Sequence, residues 1–343
     1  MTAACAVLVT GGAGFVGAEV VRRLVSRGHE AHVVCRARTN RAALAGVPCV
    51  LHEADLEDES ALGRAFGAAA QAARARGLAL DVVHLAARIS YRAADRAELR
   101  RVNVEGTRRM LAACAAVGAR RLCHVSSVVA LGPVADAARE LDDDAPLAGL
   151  ALDSAYARTK AEAEALVLAT RAELDVVVAS PAVVFGRSGA GSNSLHFLRR
   201  VVRGTLGPLS PPGSLTVVGL ADAAEGIVAV LERGERGLRY VLGESAWGLH
   251  ELLGLACELA GSRPPIARMP PFLWRGVVGV AAVAERLVAS ERATPEALAL
   301  LGMHFRFRAE RARARLGWAP RPFREVLGDV VADLRDGRTP AKR

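Results

Sequence analysis

Tyr156 and Lys160 are the pair of residues in this chain whose types and spacing point most directly to chemistry. Lys160 is one of two lysines, the other being Lys342, and arginine supplies almost all the remaining positive charge. The four-residue spacing places both side chains on one face of a predicted helix. A neighbouring ammonium lowers the pKa of a phenol, which prepares Tyr156 for proton transfer. The pair predicts proton transfer coupled to hydride transfer at a carbon–oxygen bond; the alternative is a surface tyrosine packed on a lysine stem.

Two polar residues are candidates to assist this pair. Ser127 follows the fifth predicted strand in HVSSVVALG, at the carboxyl edge where open α/β sheets bind ligands. A hydroxyl there would orient a substrate oxygen; Ser126 is the competing candidate, and either hydroxyl would otherwise satisfy the strand end. Asn103 lies within a predicted helix, where asparagine is a poor helix former. Its amide would hold a water in the proton path, or it would mark a cap or a kink.

A glycine-rich turn follows the first predicted strand. Gly11, Gly14 and Gly17 recur every three residues in VTGGAGFVG, between a strand and a helix. Because glycine has no Cβ, the backbone can approach a phosphate diester closely and leave helix N–H groups free to bind it. The turn opens a series of alternating strands and helices, so we predict a dinucleotide-binding turn rather than a plain tight connection.

The end of the second predicted strand indicates which dinucleotide binds. In VVCRART, Cys35 stands where a ribose-binding carboxylate is expected, and residues 31–40 contain neither Asp nor Glu. Arg36 and Arg38 follow, and guanidinium groups suit the 2′-phosphate of NADP(H). We therefore favour NADP(H), with Arg36 as the first contact and NAD(H) as the alternative; the arginines would otherwise be ordinary surface residues. Asp55 would bind the adenine amino group or cap the next helix.

Strand-like apolar runs alternate with helical patterns in the first half of the chain. Helices are predicted up to Gly28 and over residues 59–76, 93–117 and 154–173. This alternation predicts an α/β fold with a doubly wound parallel sheet and helices on both faces. The predicted strands are CAVLVTGG, EAHVVCR, PCVLHEADLED, LDVVHLAA, RRLCHVSSVVALG and DVVVASPAVVFG.

The second half is less regular, and it suggests a division of the chain. We assign residues 1–180 to a dinucleotide-binding domain, to which residues 214–243 return. Residues 181–213 and 244–335 would form a smaller C-terminal substrate-binding lobe, and residues 336–343 a frayed tail.

Composition and charge limit the class of protein. The chain has 343 residues, of which 52% are hydrophobic, so it is not a disordered chain. Its longest apolar run, GVVGVAAVA, is too short to span a bilayer, and the N-terminus lacks the basic region of a signal peptide.

The net charge of +9 is spread along helical faces with only 4% aromatic residues, which argues against a nucleic-acid partner. Six scattered cysteines without a CxxC pair predict reduced thiols, a cytoplasmic location and no metal site.

Taken together, these motifs resemble the extended short-chain dehydrogenase/reductases, in the branch of the dihydroflavonol reductases and 3β-hydroxysteroid dehydrogenases. The resemblance covers about residues 5–335. It implies a Rossmann fold, a bound NAD(P), and Ser127, Tyr156 and Lys160 as a catalytic triad. The matching stretches are TGGAGFVG, ADL at 54–56, HLAA at 84–87, NVEGT at 103–107, VSSVVALG, YARTK and SPAVVFG at 180–186.

The resemblance also implies further contacts. Pro181 and Val183 would approach the nicotinamide, and Ala86 and Ala87 would line the cofactor cleft. A homodimer is implied, because the helices that carry Asn103 and Tyr156 form a four-helix interface in many relatives. The remaining cofactor contacts expected from the matching segments are Phe15, Val16 and Leu56.

Departures from the family pattern bear on the substrate. Sugar-nucleotide members usually have an Arg that binds the diphosphate, just before a strand containing His. In LTVVGLAD, Leu215 stands in the place of that Arg and Gly219 in the place of that His. A diphosphate would therefore lose a charge-assisted contact. PPFLWRGVVGVAAVAERLV resembles the apolar C-terminal lobe of the reductase branch; an ordinary core helix is the alternative. The residues it offers to a pocket are Phe272, Leu273 and Trp274, and the alternative cations for a diphosphate are Arg199, Arg200 and Arg203.

These features predict an oxidoreductase that reduces a ketone or oxidises a secondary alcohol of a largely apolar or aromatic small molecule. A nucleotide-sugar epimerase or dehydratase with tightly bound NAD(P) is the main alternative. A catalytically silent NADP-binding sensor is a third reading, although a sensor has no need of a proton donor.

Overall fold

Continuously apolar strands build the central sheet of the protein. The structure is a computed structural model that describes residues 4–187, 194–287 and 294–336. The strands within these ranges are β1 (Ala6–Thr10), β2 (Glu30–Cys35), β3 (Cys49–Glu53), β4 (Leu80–His84), β5 (Arg121–Val125), β6 (Asp175–Pro181), β7 (Val183–Phe185), β8 (Leu209–Ser210), β9 (Ser214–Gly219), β10 (Arg239–Leu242), β11 (Ser245–Gly248), β12 (Ala267–Arg268) and β13 (His304–Phe305).

Seven parallel strands form the main sheet in the order β10-β6-β5-β4-β1-β2-β3. The strand order reverses between β1 and β4, and this is where ligands bind at the carboxyl edge of open α/β sheets. The predicted doubly wound α/β fold is confirmed. The helices are α1 (Phe15–Ser26), α2 (Glu59–Ala75), α3 (Arg96–Arg100), α4 (Gly106–Val117), α5 (Ala155–Ala169), α6 (Ser194–Val202), α7 (Leu220–Arg233), α8 (Leu249–Ala260), α9 (Pro271–Leu287), α10 (Pro295–Leu301), α11 (Glu310–Leu316) and α12 (Phe323–Arg335).

Alternation along the strands sends side chains into two apolar layers. In β1, Val7 and Val9 pack in the layer that contains α1 and α7. Ala6 and Leu8 pack in the opposite layer, against α2 and α4. Because successive strand residues point to opposite faces, an uninterrupted apolar run is what a strand buried on both sides requires.

Two predicted elements are interrupted where the site needs polar groups. The helix predicted over residues 93–117 is divided by a π-helical turn at Arg101–Glu105, which separates α3 from α4. The predicted fifth strand ends at Val125, because Ser127 starts a short 3-10 turn and its Oγ accepts a hydrogen bond from the Val129 N–H. Both interruptions place side chains of the candidate site.

A second, smaller sheet follows the main one. The sixth predicted strand divides after Pro181: β6 stays in the main sheet, whereas β7 leaves it to pair with β9. Strands β11 and β13 also pair with β9, and helices α8 and α12 pack on this sheet around Phe185 and Val217. Within residues 214–243, β9 lies in this second sheet, α7 packs against α1, and β10 completes the main sheet.

The structure pairs none of the six cysteines, and Cys49 alone among them is partly exposed. Of the helices in the described parts of the chain, none has both the length and the apolar character needed to cross a membrane. Except for residue 336, the tail predicted at residues 336–343 lies outside the described residues.

Candidate active site

The glycine turn brings backbone close to backbone between β1 and α1. Gly11 has a φ of +72°, and a Cβ there would lie 2.7 Å from the Ala86 nitrogen. A Cβ on Gly17 would lie 2.1 Å from the Gly11 oxygen, so neither position can carry a side chain without rearrangement. Gly14 precedes α1 without any side-chain cap, and the first turn of α1 contains no acidic residue. The N–H groups at Phe15, Val16 and Gly17 are therefore available to an anion.

The arginines after β2 face solvent next to this turn. Cys35 is buried at the end of β2, and Arg36 and Arg38 are exposed. Within the described residues neither guanidinium has a hydrogen-bond or ion-pair partner. Strand β2 supplies no carboxylate at this end, and Glu53, which lies opposite Cys35 on β3, pairs with Arg41. The two unpaired cations suit a phosphate better than a ribose diol.

The loops after β3 and β4 form the other walls of the cleft. Asp55 does not cap α2, so that alternative is wrong: Asp58 Oδ1 accepts from the Ala61 N–H at 2.9 Å, whereas Asp55 accepts from the Glu57 N–H in a local turn. Leu56 is buried and lies against Gly106. Ala86 is half-buried beside Gly11, and Ala87 is exposed.

A buried histidine fixes the loop after β4. His84 Nδ1 lies 2.7 Å from Thr10 Oγ1 and Nε2 lies 3.0 Å from Thr107 Oγ1. Thr107 Oγ1 donates to the Asn103 carbonyl, so His84 Nε2 must donate to Thr107 and Nδ1 must accept from Thr10. Burial, with the charge of Lys160 second, lowers the pKa of His84 to about 3. This histidine is thus an uncharged link between β1, β4 and the helix layer.

Asn103 holds the same loop from the other side. It lies in the π-helical turn, only 2% exposed. Its Oδ1 accepts from the Arg88 N–H at 2.7 Å, while Nδ2 donates to the Arg88 carbonyl at 3.0 Å and to Thr159 Oγ1 at 3.1 Å. Both amide hydrogens are engaged, so the side chain ties residues 86–88 to α5, which carries Tyr156. The placement fits the kink alternative and a positioning role.

Tyr156 and Ser127 meet at the carboxyl end of β5. Tyr156 lies in the first turn of α5, which Ser154 caps through a bond from the Ala157 N–H to its Oγ, and it is 8% exposed. Burial raises the pKa of Tyr156 above its ordinary value, Tyr91 raises it further, and a hydrogen bond with Ser127 lowers it. The expected lowering by Lys160 is therefore wrong for this structure. Desolvation dominates, because a phenolate in this site would lose its hydration.

Lys160 lies one turn further along α5 and is 4% exposed. Its Nζ donates to the Val125 carbonyl at 2.8 Å, at the end of the strand that leads to Ser127. Burial lowers the pKa of Lys160 to about 8, and the charge of Glu164 opposes that shift. Glu164 is fully buried, accepts from Ser126 Oγ at 2.5 Å and pairs with Arg239. Ser126, the competing candidate, is therefore committed to this ion pair and not to the cleft.

The surroundings of Tyr156 are apolar. Its ring meets that of Tyr91 edge to face, with centroids 5.8 Å apart, and Leu99 and Val129 pack on the same cluster.

Sequence reasoning missed Tyr91 as a residue of the site. The signal that could have indicated it was the rarity of tyrosine, since the chain contains three tyrosines. It also missed Glu164, whose only signal was its position one turn after Lys160.

The residues that the sequence analysis connected with the substrate lie in several different parts of the structure. Pro181 is buried and Val183 half-buried, where the chain passes from the main sheet to the second one. Leu215 packs in the core of the second sheet. A Cβ on Gly219 would lie 2.4 Å from the Asp222 carboxylate and 3.0 Å from Val326 Cγ2, so a side chain there would require both neighbours to shift. Near α9, Trp274 donates to the Leu298 carbonyl.

Two residues proposed for a pocket instead face solvent. Phe272 is 69% exposed and Leu273 is 49% exposed. The alternative of an ordinary core helix is therefore wrong for α9, and the pocket role is not supported for these two side chains in this structure.

Comparisons with known proteins agree with this architecture. The sequence profile of the NAD dependent epimerase/dehydratase family matches residues 7–243. The chain is 29% identical to "Sterol demethylase protein B" of Methylococcus capsulatus, covering 96% of this chain and 98% of that protein. It is 30% identical to a "Putative dihydroflavonol 4-reductase" of Synechocystis, with coverages of 94% and 92%. Among solved structures, gox2253 matches with a TM-score of 0.82 and 29% identity over 98% of this chain and 99% of that one.

The family match covers more than half of the chain, and the Synechocystis relative aligns over nearly its full length. The glycine turn, the parallel sheet and the strand-edge cleft are what an NAD(P)-dependent enzyme of this kind requires. The chain therefore belongs to the NAD-dependent epimerase/dehydratase family of extended short-chain dehydrogenase/reductases.

Proposed function

We propose that this protein is an NADP(H)-dependent oxidoreductase that reduces a ketone, or oxidises the matching secondary alcohol, of a largely apolar small molecule. The observation that carries the proposal is the buried cluster at the end of β5. There the Ser127 hydroxyl lowers the pKa of Tyr156 against the effect of burial, and Lys160 lies one turn further along the helix that carries Tyr156. This cluster stands at the edge of the sheet that also carries the glycine turn.

The chain's own groups fit the cofactor. The uncapped start of α1 and the close approach at Gly11 would hold the diphosphate. Arg36 and Arg38 would hold the 2′-phosphate of NADP(H), since both are exposed without a partner in the described residues. Asp55, Ala86, Ala87, Pro181 and Val183 would complete the walls. When bound, the nicotinamide supplies a hydride to the carbonyl carbon.

The proton comes from the protein. The raised pKa keeps the Tyr156 phenol protonated at neutral pH, as a proton donor to the carbonyl oxygen requires. Ser127 donates a hydrogen bond to the same oxygen and orients it. Lys160, one helical turn away, donates to the Val125 carbonyl and so holds the end of the strand that leads to Ser127. Asn103 acts as a positioning residue for the loop beside the cofactor cleft.

An apolar substrate is favoured by the walls of the site. Tyr91 and Val129, both partly buried beside Tyr156, carry no charge. Leu215 and Gly219 leave a sugar-nucleotide diphosphate without its usual partners. The names of the sterol demethylase and dihydroflavonol reductase relatives are consistent with such substrates. In this proposal the substrate contacts the lobe of residues 181–213 and 244–335.

The test combines cofactor titration with turnover. We expect NADPH to bind more tightly than NADH by fluorescence, and Arg36→Asp to remove that preference while Arg139→Asp, an exposed arginine elsewhere, leaves it unchanged. With NADPH and an apolar aromatic ketone, Tyr156→Phe should retain NADPH binding and lose about 10²- to 10⁴-fold in turnover. Tyr91→Phe keeps the ring and should retain most activity.

Other outcomes would point elsewhere. Undiminished turnover in Tyr156→Phe would remove this tyrosine from the chemistry. A nucleotide that co-purifies and shows no net turnover would support the epimerase or dehydratase alternative instead.

A further inference from the structure

Helix α9 presents an apolar face to solvent. At about 100° per residue, Phe272, Leu273, Val277, Val280 and Val283 fall within an arc of about 140°. Their exposed fractions are 69%, 49%, 37%, 71% and 57%. Gly276 and Ala284 lie in the same arc and are also exposed. Among the described side chains of α9, this arc contains no polar one.

The other side of α9 is occupied. Trp274, Val278 and Ala281 are half-buried on this side. Helix α9 packs against α10, where Trp274 Nε1 donates to the Leu298 carbonyl. A surface helix of a folded domain normally places its apolar stripe inside and its charged residues outside. In α9 the outward face is the more apolar one, and an exposed apolar patch of this kind is typical of a site that binds an apolar surface.

Charge at the margin indicates what covers it. Residues 261–287 contain four arginines and a single acidic residue, Glu285. Arg263 and Arg275 are exposed, and no carboxylate of the described residues pairs with either. Ile266, just before α9, is 84% exposed. An apolar helical face that carries the unpaired Arg275 outside its arc, on an arginine-rich segment, matches the interfacial region of a bilayer with anionic lipids.

We propose that the α9 face, defined as Phe272, Leu273, Val277, Val280 and Val283, docks this enzyme on anionic phospholipid membranes. The 17 residues of α9 do not cross a bilayer, so the helix lies in the plane of the surface with this face among the acyl chains. Arg263 and Arg275 bind lipid phosphates at the margin.

The docked face is connected to the candidate active site. Helix α10, against which α9 packs, carries Glu296, and Ser154 Oγ donates to its carboxylate at 2.6 Å. Ser154 is the cap of helix α5, whose first turn contains Tyr156. The α9 face is therefore linked through α10 and Glu296 to the start of the helix that carries Tyr156.

Vesicle flotation of the full-length protein tests this inference. We expect it to float with vesicles of phosphatidylcholine and phosphatidylglycerol in equal parts, and much less with phosphatidylcholine alone. Val280→Ser/Val283→Ser should lower the partition coefficient at least about tenfold, because two buried aliphatic side chains are lost. Arg275→Glu should weaken binding to the anionic vesicles only, and added salt should do the same.

Controls separate this inference from the proposed function. Val50→Ser/Leu51→Ser, which changes two exposed aliphatic residues on β3, should float like the wild type. Turnover of a water-soluble ketone without vesicles should be the same in Val280→Ser/Val283→Ser as in the wild type. No flotation, or equal flotation of the α9 variant, would overturn the inference. A wild-type dimer that this variant dissociates would overturn it too, since a second copy would then cover the face.

Discussion

Replacing Glu164 should change the charge state of Lys160. Burial lowers the pKa of Lys160 to about 8, and the Glu164 carboxylate one turn away opposes the shift. The Cβ atoms of residues one helical turn apart lie about 6 Å from each other, and we take this as the separation of the two charges. At an effective dielectric constant of about 20, their attraction is worth about 3 kcal/mol, or about two pH units. Glu164→Gln should therefore lower the midpoint of the Lys160 titration by about that amount, leaving the amine largely neutral at pH 7.

The chain is well suited to the measurement. It contains two lysines, so ¹³Cε-lysine labelling yields two resonances whose pH titrations can be followed without any activity assay, and Lys342 serves as the internal reference. Arg239→Gln is the opposite control. It removes the cation that neutralises Glu164, so it should raise the pKa of Lys160.

Each single variant leaves a buried charge unpaired, which costs about 3–5 kcal/mol of stability. The double variant Glu164→Gln/Arg239→Gln removes both buried charges of this pair. Its Lys160 titration midpoint should lie between those of the two single variants. An unmoved midpoint, or shifts of the same sign in both single variants, would refute the assignment of Glu164 as the electrostatic partner of Lys160.

Two further predictions concern stability. As pH rises from 8 to 10.5, the wild type should gain about 3 kcal/mol of stability relative to Lys160→Met, because the pKa of Lys160 is depressed to about 8 from 10.5 in the folded state; urea unfolding across that window measures the change, and a constant difference would contradict the reasoning. Gly17→Ala should abolish NADPH binding and destabilise the fold, because its Cβ would lie 2.1 Å from the Gly11 oxygen. Gly63→Ala in α2 is the control: its Cβ would have nothing within 4 Å, so it should stabilise the fold by about 0.5–1 kcal/mol. Thermal unfolding of both variants is the check, and equal effects on stability would contradict the prediction.

The parts of the site that sequence alone could predict are local ones. The spacing of Tyr156 and Lys160 is read correctly as one helical face because helix geometry depends on neighbouring residues only. The glycine turn is equally local: its φ values and the start of α1 follow from residues 10–17. Continuous apolar runs were enough to predict a sheet buried on both sides, because a strand covered by helices has no polar face.

Other features required the folded chain. Asp58 caps α2, whereas the sequence offered Asp55 as the possible cap, and the predicted fifth strand ends early because Ser127 Oγ accepts from the Val129 N–H. The pKa of Tyr156 is raised and not lowered, since desolvation by residues distant in sequence outweighs a charge one turn away. Burial depends on what packs from elsewhere, and no local pattern reports it.

The sequence by itself therefore determined the dinucleotide fold and the group of residues that could transfer a proton, because turns, helix faces and apolar periodicity are properties of short segments. Only the tertiary structure decided that Asn103 holds a loop, that Glu164 and Arg239 accompany Lys160, and that the apolar face of α9 points outward. These depend on contacts between segments far apart in the chain, whose energies are set by burial and not by residue type.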